Sequence, residues 1–300
     1  MIGLGDLPGG EFVSTASHLS TSGAVVVGWA TRVDGIEAFR WTMSGGMEGL
    51  GDLPGGIFLS RAMAVTGDGN EIVGMGNSGM PGVAEAFRWT TQTGMVGLGF
   101  VPGSLIDGSQ AFDVSHLGGT IVGHAWAVEG LQAMLYTDEK GMVSLGDLPG
   151  GQAQPFSFAF AVSADGQTIV GRGEGVEGTR AVVWDQTGAI RDLQEMLEVD
   201  FGLDLPGWQL NEARGVSSHG RTIVGHGTHN GIKEAWVVRL TSSCPADLDD
   251  DGIVGFYDLQ ILLTTRGPCD DCADCPGDLN GDCVVDNDDV IELVSFWGPC

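Results

Sequence analysis

Short apolar runs and glycine-bearing turns alternate along the first 240 residues and recur at spacings of 46 to 54 residues. Val26-Val27-Gly28, Ile72-Val73-Gly74, Ile121-Val122-Gly123, Ile169-Val170-Gly171 and Ile223-Val224-Gly225 form one series in step. Ala38-Phe39-Arg40-Trp41, Ala86-Phe87-Arg88-Trp89, Ala133-Met134-Leu135-Tyr136, Ala181-Val182-Val183-Trp184 and Ala235-Trp236-Val237-Val238 form another. A third motif, Gly3-Leu4-Gly5-Asp6-Leu7-Pro8-Gly9-Gly10, recurs at Gly49–Gly56 and, with one change, at Ser144–Gly151. A degenerate copy begins at Gly97-Leu98-Gly99-Phe100. In the fourth repeat the pattern predicts strands over Ser157–Ser163, Thr168–Gly171, Arg180–Trp184 and Ala189–Leu193. Asp165-Gly166 and Thr187-Gly188 supply turns, where glycine tolerates positive φ, and a Gly-rich loop separates the second strand from the third. Four strands per repeat of this length predict an all-β chain, a β-propeller of about five four-stranded blades.

The fifth repeat has strands at Asn211–Ser217, Thr222–Gly225 and Glu234–Leu240 and then stops. The chain opens with a lone apolar stretch, Ile2–Leu7, which is expected to serve as the missing fourth strand and close the ring. The alternative is a longer propeller that begins upstream. Repeated residues such as Arg40, Arg88, Trp41, Trp89 and Trp184 are expected to pack between blades. Function is expected where repeats differ, at Asp107, Asp113, His124, Asp138, Glu174, Glu177 and His226. His124 and His226 share one position, directly after the repeated glycine. No spacing pairs two carboxylates, and no P-loop, dinucleotide fingerprint, Gly-x-Ser-x-Gly or His-Glu-x-x-His is present.

The pattern changes after Thr241–Ser243, the expected linker. Residues 244–300 hold 14 of the 40 acidic residues, one of the 13 basic ones and all six cysteines. They contain one device twice. Asp247, Asp249 and Asp251 stand at positions 1, 3 and 5 of the first loop, and Asp278, Asn280 and Asp282 match them in the second. Asp258 and Asp289 follow at position 12. Oxygen ligands at this spacing, with the backbone carbonyls of Ile253 and Val284 at position 7, wrap a chain around calcium, so two ions are expected. Asp286 is expected to contribute through water. A short apolar helix follows each loop.

An even, clustered cysteine count reads as a disulfide frame in an oxidising compartment. A zinc site is the alternative for Cys269-x-x-Cys272-x-x-Cys275, although no histidine lies nearby. A helix such as Asp258–Arg266 is about 13 Å long and carries Cys269 away from Cys244. Bridges between the motifs are therefore expected: Cys244–Cys300, Cys269–Cys275 and Cys272–Cys283. The net charge of −27 argues against nucleic acid and anionic membranes as partners, and no apolar run is long enough to span a bilayer. Met1-Ile2-Gly3-Leu4 has no signal-peptide character, so the extracellular or cell-surface placement implied by the cysteines requires a signal upstream of this chain.

Residues 1–240 resemble the extracellular HAF-family repeat, whose His-Ala-Phe triplet stands here as Glu37–Phe39 and Glu85–Phe87. The resemblance implies a repeat propeller and leaves activity open. Residues 244–300 resemble the type I dockerin domain, which implies calcium-dependent folding and docking to a cohesin partner in secreted polysaccharide-degrading assemblies. Two departures stand out: Cys283 replaces the usual position-6 glycine, and Phe256-Tyr257 and Asn287-Asp288 replace the familiar Ser/Thr recognition pairs. The expected function is a secreted, non-catalytic binding or adaptor protein with a polysaccharide or cell-surface ligand. The alternative is a glycoside-hydrolysing propeller carried by the dockerin-like module.

Overall fold

A computed structural model describes the chain except residues 80–82, 151–155, 186–187, 241–243, 250–251, 270–274, 276 and 300. The linker, Asp251, Cys272, Cys300 and Thr187 thus lie outside the described residues. The chain divides into two compact units, Met1–Val237 and Val238–Cys300.

The first unit follows the repeats sheet by sheet. The first sheet holds β1 (Ser14–Leu19), β2 (Val25–Arg32), β3 (Gly35–Thr42) and β4 (Gly46–Gly49), and the second β5 (Gly55–Val65), β6 (Glu71–Ser78), β7 (Ala84–Thr90) and β8 (Gly94–Gly97). The third holds β9 (Ser109–Val114), β10 (Ile121–Ala127), β11 (Gly130–Thr137) and β12 (Gly141–Gly146). The fourth holds β13 (Phe158–Val162), β14 (Ile169–Gly175), β15 (Gly178–Trp184) and β16 (Ile190–Asp192), and the fifth β17 (Trp208–Val216), β18 (Thr222–His229) and β19 (Ile232–Arg239). Neighbouring strands within a sheet are antiparallel. One parallel bridge, Ile36 to Leu59, ties the first two sheets.

The same contacts recur because the same residues recur. In each sheet a Ser or Thr closes the first hairpin: the N–H groups of Val25, Glu71, Thr120, Thr168 and Thr222 donate to the hydroxyls of Ser20, Thr66, Ser115, Ser163 and Ser217. Each first strand carries a bulge opposite the repeated glycine. A Cβ at Gly28, Gly74, Gly123, Gly171 or Gly225 would collide with the carbonyl oxygen of Thr15, Arg61, Gln110, Phe158 or Glu212. The Val-Gly signature is therefore a steric requirement of the bulge.

The cores lie between sheets. Val27, Ala38 and Leu50 of the first repeat pack with Ala62, Ile72 and Trp89 of the second. Val73 and Leu98 meet Ala111 and Met134, and Val122 and Leu145 meet Ala159 and Trp184. A serine locks each of these three junctions. Ala38 N–H donates to Ser60 Oγ (3.0 Å), which donates to the Gly51 carbonyl (2.6 Å), and Ser109 and Ser157 repeat the arrangement. The repeated tryptophan and arginine do bridge sheets: Trp184 Nε1 donates to the Leu145 carbonyl, and Arg88 pairs with Asp138.

Three expectations need correction. Ile2–Leu7 is not a strand and does not complete the fifth sheet, in which β19 has β18 as its neighbour among the described residues. The segment behaves instead like the linkers that share its motif. Leu7 packs on Ala30 and Phe39, and Asp6 accepts from Val13 N–H (3.1 Å) as Asp52 does from Leu59 and Asp147 from Phe156. The array accordingly has two ends. Val224 is 43% exposed where Val27, Val73 and Val122 are fully buried, and Leu19 is 56% exposed where Val65, Val114 and Val162 are buried. Second, the Gly-rich stretch after Gly171 is no loop: β14 and β15 run on together until Gly175 faces Gly178. Third, Leu193 leaves the sheet to begin a helix, α1 (Leu193–Val199), capped by Asp192, whose carboxylate accepts from the N–H groups of Gln194 and Glu195.

In the second unit β20 (Ile253–Val254) precedes α2 (Phe256–Thr264), and β21 (Gly267–Pro268) follows it. β22 (Val284–Val285), α3 (Asn287–Ser295) and β23 (Gly298–Pro299) repeat the order. β20 pairs with β23 and β21 with β22, so the start of each helix lies beside the end of the other, as pseudo-two-fold packing requires. Ala246, Val254, Leu262, Val285 and Leu293 form the core. Cys269 and Cys275 are bridged as expected, which excludes zinc on these two sulfurs. Cys244 and Cys283 are also disulfide-bonded, while their expected partners lie outside the described residues. Among the described residues no helix is long and apolar enough to cross a membrane.

Candidate functional site

The first loop gathers three of the carboxylates that the spacing singles out, and both loops anchor the position-12 carboxylate in the same way. In the first, oxygen atoms of Asp247, Asp249 and Asp258 lie within 4.8 Å of one another, a group able to hold a metal ion. Asp258, 1% exposed, accepts from the N–H groups of Leu248 (2.6 Å), Asp249 (3.1 Å) and Gly255 (2.7 Å). Asp289, fully buried, repeats this with Leu279 (2.8 Å), Asn280 (3.2 Å) and Asp286 (2.8 Å). Burial pushes Asp289 up, but these three donors outweigh it and hold the carboxyl below its usual range. Both groups are thereby oriented, and each also takes the N-cap N–H at the start of its helix.

Asp278 gathers the N–H groups of Gly281, Asp282 and Cys283, and Asn280 Oδ1 accepts from Asp282 N–H (2.9 Å). Cys283 has φ 70°, the left-handed conformation that Gly252 (φ 87°) adopts in the first loop. Its Cβ makes that conformation cost about 1 kcal/mol. Asp286 caps α3 by accepting from Asp288 N–H (2.8 Å). Ile253 and Val284, the position-7 residues, open the short strands β20 and β22. These hard oxygen donors fit calcium chemically, with oxygen from Asp, Asn and backbone and no sulfur or imidazole among the expected ligands.

In the first unit, residues that differ between repeats converge around the repeated glycines. After the glycine stand Trp29, Met75, His124, Arg172 and His226; on the first strand of the following sheet stand Arg61, Gln110, Phe158 and Glu212. Successive sheets meet through these side chains. The Arg61 guanidinium lies 5.0 Å from the Trp29 ring, His124 packs on Phe158 at 4.7 Å, and Arg172 donates to Glu212 at 2.7 Å. At the bulges lie Phe112, Phe160 and Arg214. His124 and His226, singled out from sequence, thus occupy one tier but meet different partners.

The electrostatics of this tier are uneven. Burial, helped by the Arg172 charge, pushes His124 down to about 4, so its imidazole is neutral at ordinary pH. Burial also pushes His226 down, against the opposing pull of Glu212 3.9 Å away. Burial pushes Glu212 up, but the Arg172 hydrogen bond and the Arg214 charge outweigh it and hold the carboxyl below its usual range.

A cavity of about 270 Å³ is lined by the ends of the first strands of all five sheets, among them His18, Val65, Asp113, Val162 and Val216. Asp113 accepts from Val114 N–H (2.9 Å) and, across a sheet junction, from Val162 N–H (3.0 Å). His18 accepts from Val65 N–H in the corresponding way (3.3 Å). Burial pushes the Asp113 carboxyl up. The remaining residues expected to matter have local duties: Asp138 pairs with Arg88, Glu177 with Arg180, and Glu174 accepts from Thr179, while Asp107 is exposed.

Phe112, Phe158, Phe160, Arg172, Glu212 and Arg214 were not anticipated. They stand in columns of the repeat that vary, one residue from columns that do not, and aligning the five repeats residue by residue exposes them.

No protein-family model matches the chain, and no curated protein matches it. Among solved structures it is similar to TolB from Acinetobacter baumannii, with 13% identity, a TM-score of 0.50 and 76% of this chain covered. It spans about half of that protein, 52% of its length. It is also similar to a putative TolB from Agrobacterium tumefaciens, with 16% identity, a TM-score of 0.43, and 75% of this chain and 73% of that one covered. The first likeness is one of fold, to domains of the β-propeller type, and agrees with the succession of antiparallel sheets seen here.

Proposed function

We propose that this chain is a secreted, non-catalytic binding or adaptor protein. In this reading residues 1–240 form a HAF-repeat propeller of five blades, and residues 244–300 a dockerin-like module that holds two calcium ions and docks to a cohesin-type or other surface partner. The observation that carries the reading is the division of labour in the repeat. Positions that build the sheets are uniform, whereas the tier beside the repeated glycines varies from sheet to sheet and mixes aromatic, cationic and imidazole groups, the composition of a recognition surface. A binding role is favoured over glycoside hydrolysis by the state of Glu212. This carboxylate is tied to two arginines and held ionised, which suits neither a general acid nor a free nucleophile.

A screen of the full chain against soluble polysaccharides and a panel of cohesin domains, with and without calcium, tests the proposal. Calcium-dependent cohesin binding and glycan binding without product release support it. Release of reducing sugar abolished by Glu212→Gln would favour the hydrolase.

A further inference from the structure

In a chain of net charge −27, the tier at the third to fifth sheets carries a local excess of positive charge on an aromatic floor. Phe158 and Phe160 lie 5.9 Å apart with their planes 12° from parallel, and Phe112 stands 6.4 and 6.0 Å from them. Three nearly equal separations between near-parallel rings exclude a column, so the rings are tiled side by side. The Arg214 guanidinium lies 4.2 Å from the Phe160 centroid, and that of Arg172 lies 4.6 Å from Phe158 and 5.1 Å from Phe156.

Both cations share one anion, Glu212, whose side chain is 8% exposed. The Arg214 side chain is 53% exposed. What solvent meets is therefore a guanidinium beside aromatic faces, with the compensating carboxylate below. His124 is neutral here, Phe156 is 38% exposed, and the Arg172 Nε is buried without a hydrogen-bond partner among the described residues. A desolvated donor left unpaired is costly, and a polar ligand or water entering the cluster would relieve it.

The geometry points to this cluster as a binding site for a saccharide that carries a carboxylate, a uronic-acid unit. The exposed edge of Arg214 would take the carboxylate as a forked, charge-assisted hydrogen bond, which lysine could not reproduce. The phenyl rings would take the apolar C–H face of the sugar, as aromatic walls do in sites with few polar groups. Two arginines against one glutamate suit a ligand with one charge per ring. They do not suit a nucleic acid, whose dense phosphates require many cations and meet the repulsion of the whole chain.

The inference rests on the glycan-binding reading above and assigns its ligand class. The test is calorimetric titration of the full chain with a uronate trimer, its neutral methyl ester and inorganic phosphate. The wild type, Arg214→Gln and Phe160→Ala are compared, with matching thermal melts as the folding control. The acid trimer should bind and the ester should bind at least ~10-fold more weakly. Arg214→Gln should cost the acid trimer a similar factor and leave the ester unchanged, while Phe160→Ala should weaken both. Equal binding of acid and ester, weakened by Phe160→Ala alone, would overturn the carboxylate assignment and leave the glycan-binding reading intact. Acid binding insensitive to both variants would place the site elsewhere and overturn the inference. Binding of phosphate alone, or of nothing, would overturn the inference and leave the glycan-binding reading to the polysaccharide screen above.

Discussion

The His124 imidazole packs against the Phe158 ring of the next sheet at 4.7 Å with 60° between their planes, and its Nδ1 is buried without a hydrogen-bond partner among the described residues. Protonation would put a cation into this contact, beside the Arg172 charge. The folded-state pKa of about 4 lies below the ordinary value of 6.5, so the unfolded chain binds the proton more readily. His124 therefore contributes stability that is present above about pH 6.5 and lost as the pH falls towards 4. The loss is on the order of 3 kcal/mol. Denaturant titrations between pH 7 and pH 4 should show the first unit weakening across this window, and His124→Phe should flatten it. An unchanged slope in the variant would remove His124 as the cause.

Gly123→Ala should destabilise the first unit severely, on the order of 3 kcal/mol or more, because its Cβ would strike the Gln110 carbonyl oxygen at the bulge. Gly141→Ala is the comparison: it has a positive φ of 67° but open space around it, so its cost should stay near 1 kcal/mol. Equal melting shifts for the two would contradict the steric account of the repeated glycine.

Ser60→Ala should cost about 1–3 kcal/mol, since it leaves the buried Ala38 N–H and the Gly51 carbonyl without the hydroxyl between them. Ser60→Thr keeps the hydroxyl and separates loss of the bond from loss of fit. Chemical denaturation with hydrogen exchange at Ala38 reads both.

Calcium should stabilise the second unit and leave the first nearly unaffected. At ten times the dissociation constant each occupied loop adds about 1.4 kcal/mol. Calorimetry of the full chain in EDTA and in millimolar calcium should show one transition moving upward. Asp258→Ala should abolish the shift from its own loop and also lower the metal-free transition, because the same carboxylate caps α2. Identical melts in the two conditions would reject the metal assignment.

Features set by local chemistry were legible in the sequence. The Asp165-Gly166 turn and the spacing of Asp247, Asp249 and Asp258 depend on neighbours a few residues apart, and reading them needs only local pattern. The Cys269–Cys275 bridge was legible because helix length argues against bridges within each motif and pseudo-two-fold packing brings the end of each helix to the start of the other loop. Most of what escaped was set by contacts between strands or repeats. Ile2–Leu7 has the composition of a strand, yet a strand needs a partner edge, and composition does not report whether β19 lies within reach. Leu193 reads as a strand end until Asp192 is recognised as a helix cap. The Phe158–Arg172–Glu212 cluster joins residues 14 and 40 positions apart in chain order: strand pairing sets Phe158 opposite Arg172, and the next sheet brings Glu212 to them.

Around the cavity, backbone N–H groups hand a chain of hydrogen bonds from sheet to sheet: Thr21 to Gly67, Gly67 to His116, His116 to Ala164 and Ala164 to Ser218, at 2.9 to 3.1 Å. The five residues share nothing but a peptide bond. These four bonds are thus indifferent to side chains, and a copied repeat can be inserted or lost without new partners having to evolve for them. The sequence record should show such units multiplying by whole periods, with the inner rim free to acquire whatever groups the hollow it encloses comes to use.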